Sequence, residues 1–589
     1  MLVVDCRSLY NYGWLTKAAL TVAGVALLVG VVAHATGAER SGAVPNAIQS
    51  ENALPGMTDW QARSSDHIDV YTTQLTSAPG GSIDFHVSTA TRYRIVVYRL
   101  GWYGGAGARL MACLPSCTDD EQGTLQRQPG APPALATDPP IRANWPITDT
   151  LHVGDDWTSG YYLAEATITY GIDYGRVASA IFIVHPNDAT TGSKILVQVP
   201  VNTWEAYNSW GGKSLYDFTG DRMYRVSFER PFGYLAQSPL WWEIQLVRFL
   251  EREGYDVSYQ TDIDTDANPN SLLEHRLIVD AGHDEYWTSG MRQAFATALA
   301  DGTNLAFMGA NEGYWRVKYE DNAQTIFTYK SLYDPARSLS DKTAMFREIG
   351  YPECEIEGDQ FQSLAAIPRN LDYTVTPAAT TDPWFAGTGL TPGTIIRGTV
   401  SREHDKINPY PMSCFHPGLV DLFHYDGHGV DSDGDAVRYT APSGARVFAS
   451  GSFQFNWALD SWRDDGSLVP MQQLDGLQPN IVPADPGVQQ FMRNALEDLQ
   501  QPAEPTGVTV SQTGGHLIVN VPPSGDPRVV NFFAGVKTAT GWTRLCTGTT
   551  ECAGAIPDAA TNPATVGVVW RDAWHTHGAA FFVKLAPRR

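Results

Sequence analysis

The sequence predicts an α/β core with a mostly parallel sheet, flanked on its N-terminal side by a β-sandwich and on its C-terminal side by a second, smaller one. Three observations predict this. Between residues 190 and 500, short apolar runs alternate with helical patterns of about 10–15 residues, the pattern of strand–helix–strand units. Residues 66–186 and 506–589 instead alternate apolar and polar positions in short runs, with Pro and Gly between them. Pro502-Ala503-Glu504-Pro505 reads as the linker before the last segment.

A chain of 589 residues is long enough for several domains at roughly 100–200 residues each. Its net charge of −23 repels phosphate backbones, and no basic stripe offsets it, which excludes nucleic-acid binding. Residues 1–38 read as a cytoplasmic stub and an apolar segment. Ala18 to Ala33 carries no charge and follows Arg7 and Lys17, the arrangement that leaves the stub inside and exports the rest. The expectation is an uncleaved single-pass anchor in the cell membrane with extracytoplasmic bulk. Cleavage near Ala33-His34-Ala35, giving a secreted chain, is the alternative.

Cysteine placement agrees with export. Beyond Cys6, six cysteines fall into three local pairs, Cys113 with Cys117, Cys354 with Cys414, and Cys546 with Cys552. Free buried thiols are the other reading, and the absence of any C-x-x-C pair argues against metal binding.

Residues 39–65 form a polar linker. In the sandwich that follows, Ile83, Phe85 and Val87, then Ile95 and Val97, then Tyr162, Ala164, Ala166 and Ile168 each mark one face of a strand. The Gly-rich run from Gly101 to Gly107 lacks a following Gly-Lys-Ser/Thr and is read as a tight loop, not a phosphate cradle.

The core then opens at Ile195–Val199, a first strand. After an aromatic loop, Ser238-Pro239 supplies an N-cap and first-turn proline for a helix running to about Glu253 and closed by Gly254. A second strand lies around Val257, a third at Leu277–Ala281, a helix at 289–300 and a fourth strand at Leu305–Met308. In such sheets, ligands bind beyond the carboxyl ends of the strands. Three stretches sit there: residues 202–217, the loop Gly282-His283-Asp284-Glu285-Tyr286-Trp287, and Gly309-Ala310-Asn311-Glu312-Gly313. The last has the spacing of a nucleophile elbow with Asn311 at its centre. Asparagine cannot attack as serine or thiolate does, so covalent acyl-enzyme chemistry is excluded there.

Thr203-Trp204-Glu205-Ala206-Tyr207-Asn208, Ser214-Leu215-Tyr216-Asp217, Gly282 to Trp287 and Gly309-Ala310-Asn311 together resemble the large (beta) subunit of N,N-dimethylformamidase. The resemblance implies a flavodoxin-like core related to class I glutamine amidotransferases and a mononuclear ferric (Fe3+) centre that hydrolyses an amide. It makes Tyr207 and Tyr216 the phenolate ligands, Glu285 the carboxylate ligand and His283 a neighbour holding water or substrate. Tyr234 or a tyrosine of the sandwich is the alternative to Tyr216. His283, Glu285 and Asn311 are then the catalytic candidates. Phenolates and a carboxylate are hard anionic donors whose charge offsets trivalent iron, and a metal-activated water needs no protein nucleophile. No organic cofactor is implied. A small partner subunit or a homo-oligomer is.

Other candidates are weaker. Asp262, Asp264, Asp266 and Asn268, and the run Asp431 to Asp435, look like calcium loops but lack the Glu at the twelfth position. His424 with His428, and His575 with His577, lack a third zinc ligand. In residues 506–589, Val508, Val510, Leu517, Val519, Val521, Phe533, Val536, Val566, Val568 and Phe581 alternate as in a small fibronectin type III sandwich. Two functions follow: an exported, membrane-anchored, metal-dependent amidohydrolase acting on a small amide or envelope substrate, or a non-catalytic cell-envelope protein that binds polysaccharide or a protein partner.

Overall fold

A nine-stranded mixed sheet carries the candidate site on one rim. Its order is Val257–Thr261, Ile195–Val199, Leu277–Gly282, Asn304–Gly309, Arg446–Ala449, Gly434–Thr440, Val420–Tyr425, Leu371–Val375 and Ile395–Val400. The first five strands run parallel, with Val197 beside both Tyr259 and Val279, and Val279 beside Ala306. The last four join by antiparallel pairing. The computed structural model describes residues 44–585, apart from 61–64, 132, 134, 136, 188–192, 217–220, 233–238, 366–370, 408–413, 430–431, 463–483, 527, 562–563, 574–576 and 579, and of 239, 240 and 363 only the backbone.

This corrects the expected fold class. In place of a mostly parallel α/β core, strand outweighs helix, 37% against 20%, and the sheets are mixed. The physical reason lies in the connections beyond Met308. Parallel neighbours need a long crossover, usually a helix, whereas antiparallel ones need only a turn. Gly434–Thr440 returns as Arg446–Ala449 through a short turn in which the Ala441 N–H donates to the Ala445 carbonyl at 2.7 Å. The helix-strand alternation seen up to Met308 does not continue through this half.

Where the sheet is parallel, successive side chains serve two cores. Val197, Val279, Ala306 and Met308 face one cluster, while Leu196, Ile278, Leu305 and Phe307 face the other. Burial on both faces explains why these strands are unbroken apolar runs. The helix Ser289–Ala300 is started by Thr288, whose Oγ1 accepts the Met291 N–H at 3.1 Å. In place of the one helix expected before Val257, two short helices form, Pro239–Trp242 and Ile244–Arg252, and Ser238, the expected cap, falls outside the described residues. Gly254 follows in a left-handed conformation, φ 73°.

Ahead of this sheet, the strands Ile68–Thr72, Ser82–Thr89 and Asp149–His152 form one small sheet. The strands Thr76–Ser77, Arg92–Leu100, Ala108–Leu114, Glu121–Gln122, Gly160–Ile168 and Val177–Val184 form another. Ile83, Phe85, Val97, Tyr162 and Phe182 fill the space between them. After it, a three-stranded and a four-stranded sheet enclose Leu517, Val519, Phe532, Val566 and Trp570. The three expected disulfides are formed, Cys113–Cys117, Cys354–Cys414 and Cys546–Cys552.

The single-pass membrane expectation is also corrected. Among the described residues no helix is long and apolar enough to cross a membrane. A crossing needs about 20 apolar residues, and the longest described helix, Pro486–Leu499, has 14 and carries Arg, Asp, Glu and Gln side chains. The apolar run Ala18 to Ala33 lies outside the described residues.

Candidate metal and hydrolytic site

Ile195–Val199 and Leu277–Gly282 are adjacent parallel strands, so the segments leaving their carboxyl ends meet on one rim. From the first, Pro200 leads at once into the helix Val201–Tyr207, every residue of which is buried. From the second, the chain turns at Gly282, φ 74°, where a Cβ would lie 2.6 Å from Glu243 Cγ. Only glycine fits that turn without strain. It delivers His283, Asp284 and Glu285 into the interior, with 1%, 0% and 3% exposure.

Two phenols converge on Glu285. The Tyr207 hydroxyl donates to Glu285 Oε2 at 2.8 Å, and the Tyr216 hydroxyl reaches both carboxylate oxygens at 2.9 and 2.7 Å. The two rings lie 4.2 Å apart. Tyr216 is brought there by a tight turn at Trp210–Gly212 containing Gly211 at φ 78°. The Glu285 N–H donates to Thr203 Oγ1 at 2.9 Å, which ties the carboxylate's backbone to the helix bearing Tyr207. Around this trio, Tyr286 donates its hydroxyl to that of Tyr216 at 2.7 Å. Lys330 donates to Tyr286 at 2.7 Å and places its ammonium 3.8 Å from the centre of the Tyr216 ring.

Beside the trio, His283 Nε2 lies 3.2 Å from Glu403 Oε2 and 3.7 Å from Glu285 Oε2. Asn311, at φ 61°, donates its side-chain N–H to Glu403 at 3.0 Å and its backbone N–H to both Asp405 oxygens, also at 3.0 Å. The structure therefore brings all five sequence candidates, Tyr207, Tyr216, His283, Glu285 and Asn311, to one buried place. It adds Glu403, Tyr286 and Lys330, which the sequence reading missed. Glu403 sits in a short charged run, Arg402-Glu403-His404-Asp405-Lys406, that looks like an ordinary exposed strand.

Electrostatics sort these groups. Burial raises the Tyr207 and Tyr216 hydroxyls well above their usual value, and the negative Glu285 adds to it. Burial also raises Glu285, against the opposing pull of His283 and Lys330. For Glu403, burial is outweighed by the charge of His283 and by hydrogen bonds from His283 and Asn311, so its carboxyl is held below the usual range. For His283, burial works against the charged form, yet Glu403, Glu285 and Asp405 raise it. His283 and Glu403 are thus an ion pair, while the two phenols remain protonated donors to Glu285.

The trio fits the ion that the resemblance implies. Three oxygen donors from hard, ionisable groups meet within hydrogen-bond distance, and phenols so resistant to ionisation would release their protons only to a strongly charged cation. His283, Glu285 and Glu403 also offer ligand atoms within 4.8 Å of one another.

The weaker candidates separate. Asp262 accepts from Gln198 and from the Asn202 N–H, and Asp264 caps its own helix. Asp284 lies in a buried group with Asp262 and Asp280, whose like charges raise one another. His424 pairs with Asp435 and His428 with Asp426. Tyr234, Asp431 and His575 lie outside the described residues, and His577 packs on Phe533.

Residues 94–467 match the family described as "N,N-dimethylformamidase beta subunit-like, C-terminal", more than half of the 589 residues. No curated protein matches the chain. Among solved structures, the Clostridium perfringens spore cortex lytic enzyme SleM is 14% identical over 16% of this chain and 31% of its own, with TM-score 0.13. An FN3 domain of human collagen XX is 16% identical over 14% of this chain and 90% of its own, with TM-score 0.12. The Amycolatopsis orientalis exo-chitosanase CsxA is 9% identical over 90% and 65%, with TM-score 0.18. Scores this low carry no assignment of fold.

Proposed function

The chain belongs to the N,N-dimethylformamidase beta subunit-like family, and on that premise we propose that it hydrolyses carboxamide C–N bonds at a ferric site held by Tyr207, Tyr216 and Glu285. The observation that carries the reading is the convergence of two phenols, Tyr207 buried and Tyr216 partly buried, on one buried carboxylate, with His283 of the His283–Glu403 pair 3.7 Å from it. An iron bound there would supply Lewis acidity toward the amide carbonyl and toward water.

The chain's own residues do the rest. Glu403, the ionised partner of His283, takes one proton of the attacking water, and the neighbouring imidazolium holds its carboxylate in place. The His283 imidazolium gives its Nε2 proton to the departing nitrogen and is recharged from Glu403, so amine leaves neutral together with the carboxylic acid, which loses its own proton to solvent. Asn311 fixes Glu403 with one hydrogen bond and so sets the base's orientation. Phe453, whose ring centre lies 5.1 Å from that of His283, limits solvent on that side. The three disulfides suit an oxidising compartment outside the cytoplasm.

The test is amine release from a panel of small carboxamides, N,N-dimethylformamide included, by iron-loaded protein. Turnover is expected with wild type. His283→Ala and Glu403→Gln should each cut kcat by about 10²-fold or more. Wild-type levels in both variants would defeat the assignment of the base, and no release from any amide would defeat the activity.

A further inference from the structure

A second group of acids lies apart from the phenol site. Glu312 follows the strand Asn304–Gly309, Glu357 ends the short helix Cys354–Glu357, and Asp405 belongs to the strand Glu403–Lys406. Their exposures are 2%, 2% and 1%, and one carboxylate oxygen from each lies within 4.8 Å of the others. Asp359, fully buried, has no hydrogen-bond partner on either oxygen, and Glu312 Oε1 has none. The neighbouring charges that raise Asp359, beyond burial, are led by Asp405 and Asp435. The arginines nearby are engaged elsewhere, Arg347 with Glu353 and Arg292 with Glu355.

We infer that Glu312, Glu357 and Asp405 form a second metal site, an all-oxygen site for calcium, in which the unpartnered Oε1 of the buried Glu312 is free to bind the ion. Buried carboxylates resolve their repulsion by sharing protons or by holding a cation. In the Glu312 group the neighbouring acids act on one another as repelling charges. Oxygens held about 2.3–2.6 Å from one ion stand roughly 3–5 Å apart, which is the spacing here. The absence of nitrogen or sulfur donors selects a hard cation, and several buried carboxylates suit calcium better than magnesium, which keeps most of its waters.

Such an ion would brace the hydrolytic site from behind. Asp405 holds the Asn311 N–H, Asn311 holds Glu403, and the Cys354–Cys414 disulfide anchors the start of the helix bearing Glu357.

The full chain, dialysed against EGTA, would be measured by equilibrium dialysis with CaCl2 and by thermal melting at about 1 mM calcium, a concentration typical for extracellular sites. The inference expects one calcium per chain and a saturable rise in Tm of a few degrees. Glu312→Gln and Glu357→Gln should lose both effects, and His424→Ala, in the separate Asp421, His424 and Asp435 group, should keep them. Wild type that binds no calcium and shows no shift overturns the site, as does binding that survives both glutamine variants or disappears only in His424→Ala. Should the variants fail to fold, binding of one calcium by wild type and His424→Ala supports the inference and its absence from wild type refutes it. Uptake of manganese but not calcium overturns the choice of ion.

Discussion

Replacing Arg99 by methionine should destabilise the chain more than almost any surface change. Arg99 and Glu251 have fully buried side chains and form a two-pronged ion pair, Nη2 to Oε1 at 2.8 Å and Nη1 to Oε2 at 3.0 Å. The guanidinium also donates to the Ser159 carbonyl at 2.8 Å, to the Leu100 carbonyl at 3.2 Å and to the Tyr103 hydroxyl at 3.1 Å. Without it, Glu251 keeps only Asn52 at 2.8 Å and the Tyr259 hydroxyl at 3.0 Å. Stranding a buried charge in this way costs about 3–5 kcal/mol. At roughly 2 °C per kcal/mol for a large chain, Tm should fall by about 6–10 °C. Calorimetry on wild type, Arg99→Met and the double variant Arg99→Met/Glu251→Met tests the reasoning. The double variant should recover much of the loss, since it removes the uncompensated charge as well. A single-variant cost below about 1 kcal/mol, or a double variant worse than the single one, would refute it.

Other expectations are equally direct. His275 is buried, and burial, helped by the charge of Arg528, lowers it from the usual 6.5 to about 4, against its bond to the Ser193 carbonyl. A folded value below the unfolded one means the stability is present above pH 6.5 and is lost as pH falls towards 4. At about 1.4 kcal/mol per pH unit this amounts to about 3 kcal/mol, and the difference between wild type and His275→Gln in acid denaturation should show it; parallel curves would contradict it. The Cys354–Cys414 disulfide closes a span of 60 residues and Cys546–Cys552 one of 6. On chain-entropy grounds Cys354→Ser/Cys414→Ser should cost about 4 kcal/mol against about 2 for Cys546→Ser/Cys552→Ser, and urea titration that reverses this order would count against it. Asn311→Ala should lower kcat by about 10–100-fold by releasing Glu403, with little change in KM.

The parts legible in the sequence were those whose pattern is local. The buried strand Leu277–Gly282, the Thr288-capped helix Ser289–Ala300 and the pairs Cys113–Cys117 and Cys546–Cys552 each announce themselves within a few residues. Strand ends showed where loops converge, but Tyr207, Tyr216 and Glu285 could be named only through the resemblance of their motifs to the N,N-dimethylformamidase family. The strands from Leu371 to Ala449 could not be placed, since antiparallel pairing is set by partners far away in sequence and their short turns carry no helical period to read. Glu403 was hidden for a related reason. On a strand of alternating charges nothing distinguishes a solvated carboxylate from one buried against a histidine 120 positions earlier, and only the fold brings His283 to it.

The central claim is that Tyr207, Tyr216 and Glu285 hold iron, and metal analysis with visible spectroscopy on purified, reconstituted protein addresses it most directly. Wild type should take up about one iron per chain and show a tyrosinate-to-iron charge-transfer band, because phenolate ligation produces both. Glu285→Gln keeps the side chain's size but removes its charge, so iron content and the band should fall together while the fold survives. His283→Ala should retain more iron than Glu285→Gln does and lose chiefly turnover. A folded wild type that takes up no iron under any reconstitution condition would contradict the account.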